Sequence, residues 1–363
     1  MLSEESDIVD SVIERVSATH FQEWRKDQRV SENIREGRVW LNKPPTEKPP
    51  EQHSPSQLYQ CHRKIVYRQL NTPEESGDPD GIFWTGSKFE EEVAMPYLQA
   101  VVRDLAYVRN SMWVDYTIEG EHGEIRIRGE TDPVIVNAES EPLLLTEIKT
   151  KQSIVGLSEP NDHHLAQLFA YMEGLSRKWE TEIRDGLVIY GDRTTLAIKV
   201  FHIQFDADWW YRAVVKWAKT HTEYRLNRRL PPPDPEFNWE CNFCSYKHRC
   251  GQASDTIFAD VGAVGFLPLF DQYPEEKVKK YLEAHEGSKL IPTLAHQFPD
   301  LADRFDVHPW RCQRCSVTHA FESVGWDGNT EEPPICPTCI KDGIPVSMVE
   351  PDPESQQVVT EDE

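Results

Sequence analysis

The chain has no run of about 18 apolar residues, which excludes an ordinary transmembrane helix. Its opening stretch, MLSEESDIVDSVIERV, is acidic and lacks an apolar signal core, so a cytoplasmic protein with no membrane partner is expected. Basic residues are scarce. Among 363 residues, 39 Lys and Arg stand against 62 Asp and Glu, a formal net charge of −23. The acids are spread along the chain and not held in one tail. Such a surface disfavours polyanions at ordinary ionic strength. In molar salt the Debye length falls to about 3 Å and the repulsion fades. A salt-adapted, halophilic origin is the reading adopted, and under it net charge says little about partners. No internal repeat is present.

What the chain does have is punctuation. Residues 1–53 read as a helical segment over 1–40, with Ile8, Val12, Ile13 and Val16 as its apolar residues, and a proline-rich linker within LNKPPTEKPPEQHSPS (41–56). Residues 54–255 carry a mixed α/β pattern. It predicts a helix over 86–108, strands near 111–119, 124–136 and 142–150, and a helix over 161–178. Strands near 186–191 and 196–204 and a Trp-rich helix over 207–227 follow. A second proline linker, RRLPPPDPEFNWE (228–240), leads into cysteines. Residues 256–305 read as a helical connector, 306–348 hold the last four cysteines, and 349–363 read as a disordered acidic tail.

Within TEIKTKQSI (146–154), Glu147 and Lys149 sit two apart directly after the apolar Leu143-Leu144-Leu145. Strand side chains alternate, so both point to one face. A buried acid and a buried amine are costly unless paired or working. A turn at NAESEP would bring Asp132 from the preceding strand beside them. Two carboxylates and a backbone carbonyl, which Ile148 would supply, make a hard oxygen site for Mg²⁺ or Mn²⁺. Protonated Lys149 cannot ligate a metal, but it can orient a water and stabilise charge on a phosphate. A surface hairpin with a salt bridge is the bland alternative.

The D-x14-E-x-K spacing resembles the PD-(D/E)xK nuclease site in its RecB-like form. Gln167 and Tyr171, four apart on the next helix, match the Q-x-x-x-Y motif of that family. The resemblance implies one more metal ligand on an upstream helix. Glu90, after Gly86 in GSKFEEEV, fills that place, although neighbouring Glu91 and Glu92 blur the register.

Eight cysteines in a cytosolic chain point to metal ligands before disulfides. Cys241, Cys244 and Cys250 leave a four-coordinate metal one ligand short. The remaining candidate is Cys61, in SPSQLYQCHRKIVYRQ, which resembles the opening of RecB-type nucleases with an iron–sulfur cluster. Four thiolates suit a [4Fe–4S] cluster. A zinc clip using His62 or His248, or Cys61 as a plain buried thiol, are the alternatives. Together these residues resemble a four-cysteine CRISPR-associated RecB-family exonuclease over roughly 54–251. The resemblance implies an α/β, restriction-endonuclease-like core: a central mixed sheet flanked by helices. It further implies metal-dependent cleavage of single-stranded DNA ends in CRISPR adaptation or DNA repair. Asp132, Glu147 and Lys149 would be catalytic and Gln167 and Tyr171 would position DNA or the lysine. CRISPR integration proteins or a helicase are the implied partners. A non-catalytic nucleic-acid-binding protein is the competing reading, against which the intact D…E-x-K argues.

Cys312-x2-Cys315-x20-Cys336-x2-Cys339 is a zinc signal independent of that resemblance. Trp310, Arg311 and Arg314 could contact a nucleic acid strand or could cap the knuckle.

Overall fold

In the computed structural model, residues 2–35, 37–43, 45–77, 79–120, 123–259 and 261–357 are described. The strands are Gln52–His53 (β1), Tyr107–Arg109 (β2), Trp113–Gly120 (β3), Gly123–Glu130 (β4), Val134–Val136 (β5), Pro142–Lys151 (β6), Asp185–Asp192 (β7), Ile198–Gln204 (β8), Trp310–Cys312 (β9), Thr318–His319 (β10) and Met348–Val349 (β11). The helices that matter here are Leu2–Arg15 (α1), Ala18–Arg35 (α2), His62–Gln69 (α3), Asp80–Phe89 (α4), Met95–Val102 (α5) and Asp162–Trp179 (α6).

The central sheet runs β2-β5-β6-β7-β8 and is antiparallel except for the parallel β6–β7 pair. A parallel pair needs a crossover, and α6 supplies it. β6 is buried without a break from Leu145 to Ile148, and β7 is an apolar run, as a strand covered on both faces should be. A second sheet, β1-β4-β3, packs on the other side of α6. The core between these layers joins Leu145 and Val188 to Leu168 and Met172 on α6 and to Val114 and Ile127 on the second sheet. This is the mixed-sheet, helix-flanked fold expected.

Several local expectations differ. The single strand expected over 124–136 breaks at Thr131-Asp132-Pro133, and its halves enter different sheets. Pro133 has no amide hydrogen for a ladder, and its carbonyl instead accepts from Thr146 Oγ1 at 2.6 Å. The helix expected over 86–108 starts at Asp80 and passes through a π-helical turn, Glu90–Ala94. It stops at Val102, short of β2. The proline-rich stretch is not merely a spacer: β1 pairs in parallel with β4 and Pro55 is buried. On α1, Ile8, Val12 and Ile13 are exposed, as is Val16 just after its end.

The connector packs a small core of its own around Phe266, Tyr273, Tyr281 and Leu294. It is pinned to the sheet domain by buried Arg249, which donates to the carbonyls of Gly262 (2.6 Å) and Gly265. Lys277 pairs with Glu74. The segment expected as a disordered tail is ordered through residue 357. Buried Glu350 accepts the amides of Leu269 and Thr293, and Gln356 brackets Phe266. A backbone with unmet buried donors gains most from such acceptors. Residues 358–363 lie outside the described residues.

Candidate active site

Asp132, Glu147 and Lys149 meet at one point on β6. Lys149 Nζ forms an ion pair with Glu147 and lies 3.9 Å from Asp132 Oδ2. The Ile148 amide donates to that same Asp132 oxygen at 2.7 Å. In a strand, the N–H and C=O of one residue leave on the same edge, so the Ile148 carbonyl faces the Asp132 side.

Glu147 is completely buried, which rules out an exposed surface salt bridge. Burial pushes its carboxyl up to about 8, against the pull of Lys149. Burial alone would lower Lys149, but Glu147 and Asp132 outweigh it and hold the amine above its usual range. Glu90 belongs to the same electrostatic group. Burial, then the charge of Asp132, raises it to about 7. The π-helical turn carries Glu90, and such turns recur at functional sites. Its position is fixed by close packing. A Cβ on Gly191 of β7 would fall 2.2 Å from Phe89 Cζ, so only glycine lets the tip of the Phe89 ring meet the strand beside Glu90. Phe89, Ile148 and Ile189 close this contact. Glu91 and Glu92 are both exposed.

Gln167 and Tyr171 are buried side by side on α6, with Gln167 Nε2 donating to the Tyr171 hydroxyl at 3.3 Å. Burial, then the charge of Glu147, holds the Tyr171 phenol protonated. A Cβ on Gly129 would lie 2.7 Å from Pro55 Cδ and 3.7 Å from Tyr171 Cε1, which ties the S-P-S segment to this tyrosine. Sequence reasoning missed His164 and Tyr190. His164 Nδ1 and the Tyr190 hydroxyl are 2.7 Å apart, and Tyr190 stands opposite Lys149 in the β6–β7 register. The usable signal was His164 three residues before Gln167, a spacing that puts both on neighbouring positions of one helix face.

Cys61 is brought to Cys241, Cys244 and Cys250, 180 to 189 residues away in sequence, around one shared cavity. Arg63, Lys64 and Lys247 line it as well. Glu240 locks the approach: its Oε2 accepts the Cys61 amide at 3.0 Å and its Oε1 the Phe237 amide at 3.3 Å. His62 instead stacks on Trp217 at 4.7 Å.

Cys312, Cys315, Cys336 and Cys339 have all their sulfurs within 4.8 Å of one another. Among the described residues theirs is the one group of three or more potential metal-binding side chains this tight. Trp310 is fully buried and Arg314 points at the Cys339 sulfur at 3.8 Å, so both cap the knuckles. Arg311 and Arg314 are both exposed at this surface.

No curated protein matches the chain. Among solved structures, that of SSO0001 covers 62% of this chain and 96% of its own, at 20% identity and a TM-score of 0.41, too shallow a likeness to add to the geometry. Residues 13–251 match the model of the PD-(D/E)XK nuclease superfamily, a span that takes in α2 and the proline-rich stretch as well as every residue of the Asp132–Glu147–Lys149 site. The chain belongs to the PD-(D/E)XK nuclease superfamily.

Proposed function

We propose that this chain is a Mg²⁺- or Mn²⁺-dependent deoxyribonuclease that degrades single-stranded DNA from its ends, in CRISPR adaptation or DNA repair. The observation that carries the reading is the meeting of Asp132, Glu147 and Lys149 on β6, with Glu147 buried.

The residues present fit a hard divalent ion. Glu147 has both carboxylate oxygens shielded, with Lys149 as its ionic partner, and a carboxylate so placed is stabilised by a second cation. Asp132, Glu147, Glu90 and the Ile148 carbonyl would hold the ion, which would offset the negative charge of a reacting phosphate. Lys149, kept cationic by its two acids, orients the water and donates to phosphate oxygens. The Ile148 amide fixes the Asp132 carboxylate. Gln167 and Tyr171 hold neutral hydrogen-bonding groups beside the lysine strand, suited to positioning DNA.

Two further metals belong to this reading. The sulfurs of Cys312 and Cys339 lie 3.7 Å apart and those of Cys315 and Cys336 lie 3.8 Å apart. A tetrahedral ion with bonds of about 2.3 Å to sulfur needs an edge of about 3.8 Å, which is the dimension of a zinc site. The sulfurs of Cys61, Cys241, Cys244 and Cys250 are not drawn within 4.8 Å of one another as the other four are, and a looser set of thiolates suits the larger [4Fe–4S] core. Burial pushes Cys244 up to about 11 and also raises Cys61, so neutral thiols are favoured until a cationic core draws off their protons. Arg63, Lys64 and Lys247 offset the charge of a tetrathiolate cluster.

Anaerobically purified protein is expected to be brown, with iron and zinc both present. It should degrade single-stranded DNA in Mn²⁺ or Mg²⁺, in high salt. Unchanged cleavage in excess chelator sinks the metal mechanism, and colourless protein holding only zinc sinks the cluster.

A further inference from the structure

We propose that Phe237 and Trp239 form a base-stacking platform that receives the single-stranded DNA end on its way to the Asp132–Glu147–Lys149 site. The proposal rests on the nuclease reading and deepens it. The two rings stack on each other, centroids 5.9 Å apart and 13° from parallel. His163 packs against Trp239 at 5.3 Å, and Tyr59 meets Phe237 edge-on at 5.9 Å. Trp239 is 42% exposed. The pair forms one wall of an open groove of about 640 Å³, and the turn 156–163 forms the other.

The groove adjoins the catalytic residues. His163, Gln167 and Tyr171 are spaced by four on α6, so one helix face runs about 12 Å from the platform to the tyrosine. Tyr190 links the two from the sheet side. Its hydroxyl accepts the Asn161 amide at 3.0 Å, Lys151 Nζ sits 5.1 Å over its ring, and Lys149 stands beside it in register. Charge assigns the strand's orientation. Glu159 and Asp162 are the charged side chains lining the groove, and they repel phosphates. Lys149, a site residue, and Lys151, two residues further along β6, both bear on His163. Bases therefore face the rings while the sugar–phosphate chain follows the lysines. Bases inside a duplex already have their faces covered, so only unpaired bases can use the platform.

The rings are preorganised. Glu240 holds the Phe237 amide and the Cys61 amide at once, and Cys241 follows Trp239 by two residues. The chain that wraps the cysteine cavity thus also sets the platform.

The test measures binding of a short labelled oligothymidylate to full-length Glu147→Gln protein by fluorescence anisotropy. Trp239→Ala should weaken binding about tenfold, the scale of one lost base stack. Trp239→Phe should keep most of the affinity, while Trp239→Leu, which retains apolar bulk without a π face, should lose it. The difference between variants should vanish for an oligonucleotide of abasic residues. Iron content is measured for each variant. Equal affinity for the Leu and Phe variants at equal iron content, with wild type still cutting DNA, overturns the platform alone. If wild type neither binds nor cuts any DNA, the nuclease reading falls and takes the platform with it.

Discussion

Ile148 donates its amide hydrogen to Asp132 Oδ2 at 2.7 Å across 16 residues of sequence. This bond holds the two acids of the site in one frame, because Ile148 lies between Glu147 and Lys149. Asp132→Ala, Glu147→Ala and Lys149→Ala should each reduce metal-dependent cleavage by about 10²-fold or more. Single-turnover rates at saturating DNA check this. Three variants that all cut at wild-type rate would contradict the assignment.

The pH dependence follows from Glu147. Its carboxyl is raised from an ordinary 4.5 to about 8 by burial. A proton therefore competes with a divalent cation for it below about pH 8, and metal binding should release that proton. Apparent metal affinity should rise with pH and level off above about 8. In the metal-free protein the sign is the opposite of the usual acid case. The stability held below about 4.5 is lost as pH rises through about 8. Glu147→Gln should flatten both trends, as read by calorimetric titration and by melting curves across pH.

Gly191→Ala puts a methyl group where the Phe89 ring lies. Overpacking of this kind costs about 1–3 kcal/mol. The ring must move, and Glu90 moves with it, so both the melting temperature and the metal affinity should fall. A variant with unchanged metal affinity would show that Glu90 is not held by this contact.

Cys244→Ala should release the clasp that joins α3 to residues 241–250. A structural metal site contributes on the order of 10 kcal/mol to folding, comparable to the whole stability of a domain. Loss of colour, a lower melting temperature and lower cleavage should appear together. Normal stability in a colourless variant would speak against a structural cluster.

Truncation after residue 305 is expected to do more than remove the Cys312, Cys315, Cys336 and Cys339 set. It also removes Glu350 and Gln356, and with them the acceptors for Leu269, Thr293 and Phe266. The connector should lose protection in amide hydrogen exchange. Wild-type exchange in the truncated chain would count against this coupling.

Much of the site was legible because it rests on short-range rules. The two-residue period of a strand places Glu147 and Lys149 together, and the four-residue spacing of a helix does the same for Gln167 and Tyr171. Cys312 through Cys339 declare themselves by spacing alone. Cys61 was legible only through resemblance, since nothing local ties it to residues 241–250. The break at Thr131–Pro133 hid inside a continuous β pattern, because a strand that changes sheets keeps its alternation. The π-turn at Glu90 sits beside the Phe89–Gly191 contact, about 100 residues apart in sequence, which no local pattern reports. Glu350 looked like one more acid in an acidic tail. Its role comes from the unmet amides it finds 57 and 81 residues away.

Those same separations set an order of events during synthesis. Arg249, next to Cys250, holds the carbonyls of Gly262 and Gly265, and the neighbouring Phe266 waits for Gln356, 90 residues further on. A ribosome feeding out the chain would therefore expose a finished catalytic sheet before the connector behind it could close. During that interval Phe266, Tyr273 and Leu294 have no completed shelter, and a chaperone or a protease would find them there first.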